Sequence, residues 1–253
     1  MAHKTATYYF IGKLSPEESC IWFNPREIQL GGGWVLDIFK SGIALWNPKV
    51  DRDAPQIREF VKDTLDTVVT TFNFLTKLKL KHTVTNLIEA RDVVSTNNLI
   101  WWYLPEFYVK RPASSKNKWN RTWRKVGKFY RRIGNSFYHK IALRDFQNCI
   151  DSVGDDSFFY AFRIVEDIRR ATTSHLPPGK ETADYWAEMH KILGTREATI
   201  RPLTEVSTKV RHGDFNDPIV LRARAKKDEI INIALDVMKR AFKLKFKGLF
   251  PLI

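Results

Sequence analysis

Between Phe107 and Arg144 the chain carries Lys110, Arg111, Lys116, Lys118, Arg121, Arg124, Lys125, Lys128, Arg131, Arg132, Lys140 and Arg144, and not one Asp or Glu. These cations supply nearly all of the formal net charge of +14. Trp119, Trp123, Phe129, Tyr130, Phe137 and Tyr138 are interleaved with them. Cations neutralise phosphates and flat rings stack on unpaired bases, so the pattern predicts contact with RNA or single-stranded nucleic acid. The candidate binding residues are Lys116, Lys118, Trp119, Arg121, Trp123, Arg124, Lys125, Lys128, Arg131 and Arg132. Two other readings compete. The run can be a solvated face whose Trp119, Trp123 and Tyr130 fall on one helix side and are buried. It can also meet anionic lipid headgroups.

A second segment has reactive character: Val206-Ser207-Thr208-Lys209-Val210-Arg211-His212-Gly213. An imidazole can pass a proton near neutral pH, and a guanidinium can hold a phosphate by two hydrogen bonds. Arg211 and His212 are therefore the candidate catalytic pair, the plainer alternative being that His212 caps helix carbonyls ahead of Gly213. His82, His139, His175 and His190 have no partners at ligand or catalytic spacing, so neither a metal site nor a cofactor is expected. Glu166-Asp167 is an inward-leaning acid pair, with Glu166 expected to meet a cation.

The elements that must position these groups change character along the chain. Tyr8–Ile11, Cys20–Phe23, Glu27–Leu30, Trp34–Phe39 and Ile43–Trp46 are short, aromatic or β-branched, and separated by Gly, Pro, Asn and Ser, which predicts a β-meander. Gly31-Gly32-Gly33 lacks the Gly-Lys-Ser/Thr of a phosphate loop and reads as a hairpin turn. From Asp53 the period becomes helical, with Ile57, Val61, Leu65, Val68, Val69 and Phe72 on one stripe. Leu78–Val84 alternates as a strand does and is expected to return to the sheet. Pro112–Ser115 reads as a loop. Helices follow from Trp119: about Tyr138–Ile150, Asp156–Thr173, Lys180–Leu193 closed by Gly194, Thr195–Arg211 ended by Gly213, and one long helix after Asp217-Pro218. The tail Leu249–Ile253 is apolar and is expected to dock.

Composition sets wider bounds. Hydrophobic residues make up 43% and charged residues 28% of the 253, which is globular rather than disordered. The cysteines, Cys20 and Cys149, are far apart in sequence, which suits reduced thiols and a cytoplasmic protein. Met1–Thr7 has no signal-peptide pattern, and no apolar run approaches the length of a transmembrane segment.

From Phe158 to Phe246 the order of elements resembles the HEPN superfamily. The shared features are an aromatic-rich helix containing Phe162-Arg163-Ile164-Val165-Glu166-Asp167-Ile168, a spacer helix, a helix ending in Arg and His before Gly, and a long closing helix. The resemblance implies a prokaryotic defence or stress-response protein. It also implies a homodimer whose interface joins two copies of an Arg…His motif for metal-independent RNA cleavage. His212 matches the His of that motif. Counting back five positions, Ser207 stands where the motif has Arg, and Thr208 stands at its polar position. Arg211 lies about 100° round the helix from His212, so cleavage would need these two to form an unusual site.

The fold class expected is α+β: a small antiparallel sheet with one long helix, followed by a helical bundle. The expected domains are 1–106, a basic aromatic connecting segment 107–144, and a HEPN-like bundle 145–253. The functions that follow are RNA binding, with cleavage at Arg211 and His212 as an extension, or a non-catalytic interaction subunit that binds an acidic partner or homodimerises.

Overall fold

The computed structural model describes residues 6–15, 23–40, 42–50, 54–76, 80–90, 118–133 and 136–246. Lys116, Cys20, the loop at Pro112–Ser115 and the tail Leu249–Ile253 lie outside them. Five antiparallel strands and then helices make the fold α+β. The chain divides into two compact units, Met1–Arg131 and Arg132–Ile253. That division falls inside the basic stretch rather than on either side of it.

In the first unit the strands are β1 (Ala6–Ser15), β2 (Phe23–Gly31), β3 (Trp34–Lys40), β4 (Gly42–Val50) and β5 (Lys81–Ala90), with helix α1 (Ala54–Thr76) between β4 and β5. Their order in the sheet is β2-β3-β4-β1-β5. A pure meander would place β1 beside β2, so that expectation is corrected for the first strand. The reason is burial: Tyr9, Phe10, Ile11 and Leu14 are all essentially inaccessible, and such a strand needs neighbours on both edges and cover on both faces. β2 holds Pro25, and an edge strand tolerates the missing N–H. The turn at Gly31–Gly33 has positive φ at all three residues, as a tight hairpin needs.

One sheet face, carrying Phe10, Leu14, Ile28, Leu36 and Leu45, packs on the α1 stripe of Ile57, Val61, Leu65, Val68 and Phe72. Helix α2 (Lys118–Ile133) adds Trp123 and Val126 to the same core. The crossing from α1 to β5 is clipped by Asn73. Its Nδ2 donates to the Leu80 carbonyl at 2.8 Å and its Oδ1 accepts from the Leu80 N–H at 2.9 Å, all of it buried. Strand β5 starts three residues later than the alternation suggested and runs to Ala90.

Its pairing with β1 contains a bulge. Ile11 faces Asn86 and Gly12 faces Val84, which leaves Thr85 as an extra residue. There the two backbones come so close that a Cβ on Gly12 would stand 2.2 Å from the Thr83 carbonyl oxygen.

The second unit holds α3 (Phe137–Asp151), α4 (Asp156–Thr172), α5 (Thr182–Leu193), α6 (Glu197–Arg211), α7 (Pro218–Ala225) and α8 (Lys227–Lys245). Helix α4 is central: Phe158, Ala161, Ile164, Val165 and Ile168 are buried to the last atom, and α3, α5, α6 and α8 pack around it. Gly194 and Gly213, both at positive φ, follow α5 and α6 as expected. Asp217 caps α7 by accepting from the Ile219 N–H at 2.8 Å. The long helix expected after Pro218 is broken at Lys226, whose φ of −122° and ψ of 28° leave the helical region. Asp228 and Glu229 then open α8, where acids suit the positive end of a helix.

Candidate nucleic-acid interface and the polar groups of the bundle

Helix α2 sorts the basic stretch by helical period. Trp123, Val126, Phe129 and Ile133 are buried, while Arg124, Lys128, Arg131 and Arg132 are exposed and Lys125 is half-buried. No acid interrupts the helix. Arg124, Lys125 and Lys128 form no ion pair among the described residues, and Arg131 donates to the Gln29 carbonyl at 3.0 Å. With a rise of about 1.5 Å per residue, Arg124 to Arg132 spans about 12 Å of one face. Gly127 lets α2 lie against β2, since a Cβ there would meet the Ile28 methyl at 2.4 Å.

Trp123 is not a base-stacking platform. Its ring stacks on Phe72 at a centroid distance of 4.1 Å and is 1% exposed. The apolar spacing 123, 126, 129, 133 that puts it in the core was visible in the sequence. Tyr130 likewise turns inward, its hydroxyl 2.9 Å from that of Thr64. Lys118, Trp119 and Arg121 occupy the first turn of α2, where only the backbone is described; Lys116 lies outside the described residues. Among its described side chains, what the helix presents is a row of charge without rings.

Arg211 and His212 are both exposed at the end of α6, and neither side chain makes a hydrogen bond or ion pair among the described residues. The helix end is closed by backbone bonds, Gly213 N–H to Val210 and Asp214 N–H to Lys209. Beside it, Lys209 Nζ lies 2.9 Å from Asp217 and 3.6 Å from Asp214. Its hydrogen bond to Asp217 raises the Lys209 pKa. The acids near this end therefore engage Lys209. Ser207 is buried in the helix interface, 2% exposed, so it points away from any surface that His212 could share.

The bundle contains a pair the sequence did not show. Asp145 on α3 and Asp167 on α4 are buried, and each bears on the protonation of the other. Arg163 Nε stands 3.0 Å from Asp145, and Arg170 stands 3.7 Å from Asp167. Burial first, then the charge of Asp145, pushes Asp167 up to about 7; burial also raises Asp145. Two buried carboxyls that bear on each other in this way disfavour being ionised together. Asp167, not Glu166, is thus the inward member of the pair read from sequence. His139 is buried between Phe242 and Phe246. Burial, and then Lys245, lowers its pKa to about 4, so its ring is neutral and bonds the Ser136 hydroxyl at 2.6 Å.

In the first unit His82 also has a partner, Asp66, with Nε2 to Oδ1 at 2.8 Å. A helix-to-strand pair 16 residues apart leaves no local spacing to read. Cys149 is a buried thiol that donates to the Ser157 carbonyl. Among the described residues no group of three or more acids, histidines or cysteines could hold a metal, and no helix is long and apolar enough to cross a membrane.

No curated protein and no solved structure matches the chain. Residues 129–245, from the last turn of α2 to the end of α8, match the family described as the C-terminal domain of a domain of unknown function, DUF8168.

Proposed function

We propose that this protein binds RNA through phosphate contacts made by the exposed face of α2. The observation that carries the proposal is the row Arg124, Lys128, Arg131 and Arg132, held on a helix whose opposite face is fixed in the core of the first unit. A rigid row of cations on a helix whose own sequence holds no acid attracts a polyanion, and each phosphate it neutralises releases counterions. With Trp123 and Tyr130 turned inward, the reading favours backbone recognition that is tolerant of sequence over base stacking. The kinship with HEPN-type defence proteins implied by the sequence belongs to the same proposal; the order of helices fits it except at Lys226, where the closing helix is broken. Cleavage has less support: Arg211 and His212 are exposed and unbonded among the described residues, and buried Ser207 stands at the Arg position of that motif.

Binding of a labelled single-stranded RNA oligonucleotide, followed by anisotropy across a salt series, tests this. The logarithm of affinity should fall with the logarithm of salt at a slope of roughly −3, as for about four phosphate contacts on a single strand. The variant R124E/K128E should weaken binding at least about tenfold at low salt while keeping its circular dichroism spectrum. Unchanged affinity in that variant would overturn the proposal. Equal loss on anionic vesicles with none on RNA would assign the face to lipid. Cleavage in EDTA that disappears in H212A would restore the nuclease reading.

A further inference from the structure

A cleft of about 400 Å³ opens between α1 and the edge strand β5. From the helix side Arg58, Val61 and Lys62 enter it, at the i, i+3 and i+4 positions that share one face. From the strand side come His82, Val84 and Leu87. Alternation would send Leu87 to the face opposite Val84; the extra residue at Thr85 restores it to the same side. Phe10 of β1, paired with Leu87, forms the floor.

The chemistry of this lining is divided. Val84 is 38% exposed and Leu87 is half-buried, so apolar surface faces the opening. Arg58 and Lys62 stand above it, exposed, with no ion pair among the described residues. Asp66, one turn beyond Lys62 on the same face of α1, is already engaged by His82 Nε2. The other ring nitrogen of His82, Nδ1, is buried with no hydrogen-bond partner among the described residues. The volume is that of a small-molecule pocket and is too small for a folded partner.

We infer that this cleft binds a small amphipathic anion, with an apolar or aromatic body on Phe10, Val84 and Leu87 and a phosphate or carboxylate held by Arg58 and Lys62. Such a ligand satisfies both halves of the lining at once: its body covers exposed aliphatic surface, and its charge meets two cations that form no ion pair among the described residues. This site does not rest on the RNA-binding reading, since none of its residues lies on α2.

The test uses full-length protein and anilinonaphthalene sulfonate, a fluorescent aromatic anion. Wild type should give saturable fluorescence, R58E/K62E should raise the dissociation constant at least about tenfold, and V84D should do the same from the apolar side. R124E/K128E should leave it unchanged, and R58E/K62E should bind RNA as wild type does, which separates failure of this site from failure of the α2 face. Competition identifies the source: displacement by adenosine monophosphate assigns a phosphate ester, and displacement by dodecanoate assigns an acyl carboxylate. The inference is overturned if wild type gives no saturable signal, if R58E/K62E and V84D both bind the probe as wild type does, or if neither competitor displaces it.

Discussion

Three buried side chains in the bundle, Asp145, Asp167 and His139, bear on how its stability answers to pH. Asp167 has a folded pKa of about 7 against an ordinary value of 3.8. A raised acid contributes stability that is complete below 3.8 and is lost as pH rises through 7. His139 works in the opposite sense. Its pKa is about 4 when folded and 6.5 ordinarily, so its contribution is present above 6.5 and is lost as pH falls through 4. Between those limits the two slopes oppose each other, and Asp145, also raised, adds to the slope of Asp167. Replacing Asp167 with Asn keeps a donor for Asp145 and removes the proton that must be held. D167N should therefore be more stable than wild type at pH 8, by about 1–3 kcal/mol, and its stability should rise with pH from 4 to 7. Thermal melts at several pH values check this; a variant less stable than wild type at pH 8 would show that the pair is not strained by deprotonation. None of this was visible in the sequence, because Asp145 and Asp167 are 22 positions apart on different helices and meet only when α3 packs on α4.

Single elements show which signals were legible and why others were not. Helix ends marked by chemistry appeared where expected: Gly194, Gly213 and the Asp217-Pro218 start each act through the backbone of their own turn. The stop at Lys226 carries no Gly or Pro, and only Asp228 and Glu229, read as the acidic first turn of a new helix, could have exposed it. The place of β1 was illegible for another reason: strand order depends on which edges are buried, and that is settled by pairing across the sheet. Trp123 was ambiguous because a basic helix with an apolar stripe satisfies the stacking and core readings alike, and packing against Phe72 decides between them. At the bulge, crowding of two backbones makes Gly12 irreplaceable. G12A should lose roughly 2–3 kcal/mol, since neither the carbonyl of Thr83 nor β1 can yield without breaking the ladder. Chemical denaturation measures it, and a loss below about 0.5 kcal/mol would mean that the strands part freely there.

For the molecule as a whole, a net charge of +14 gives a long-range attraction for any polyanion, and salt weakens it regardless of which face binds. The salt series alone cannot locate the contact, and the local charge reversals on α2 and α1 do so. High salt that releases RNA should leave the melting temperature nearly unchanged, because the cores of both units are apolar. The division at Arg131 separates two inventories. The cationic row up to Arg131 and the amphipathic cleft belong to the N-terminal unit, whereas Arg132 falls in the second and the DUF8168 match begins at Phe129 and takes in the bundle with its paired acids. A relative that shares only the matched stretch would thus inherit the scaffold and its proton balance, together with Arg131 and Arg132, but neither Arg124 and Lys128 nor the pocket of β5. Kinship traced through that half is informative about how the protein stays folded; the identity of its ligands has to be sought in whatever each relative carries ahead of it.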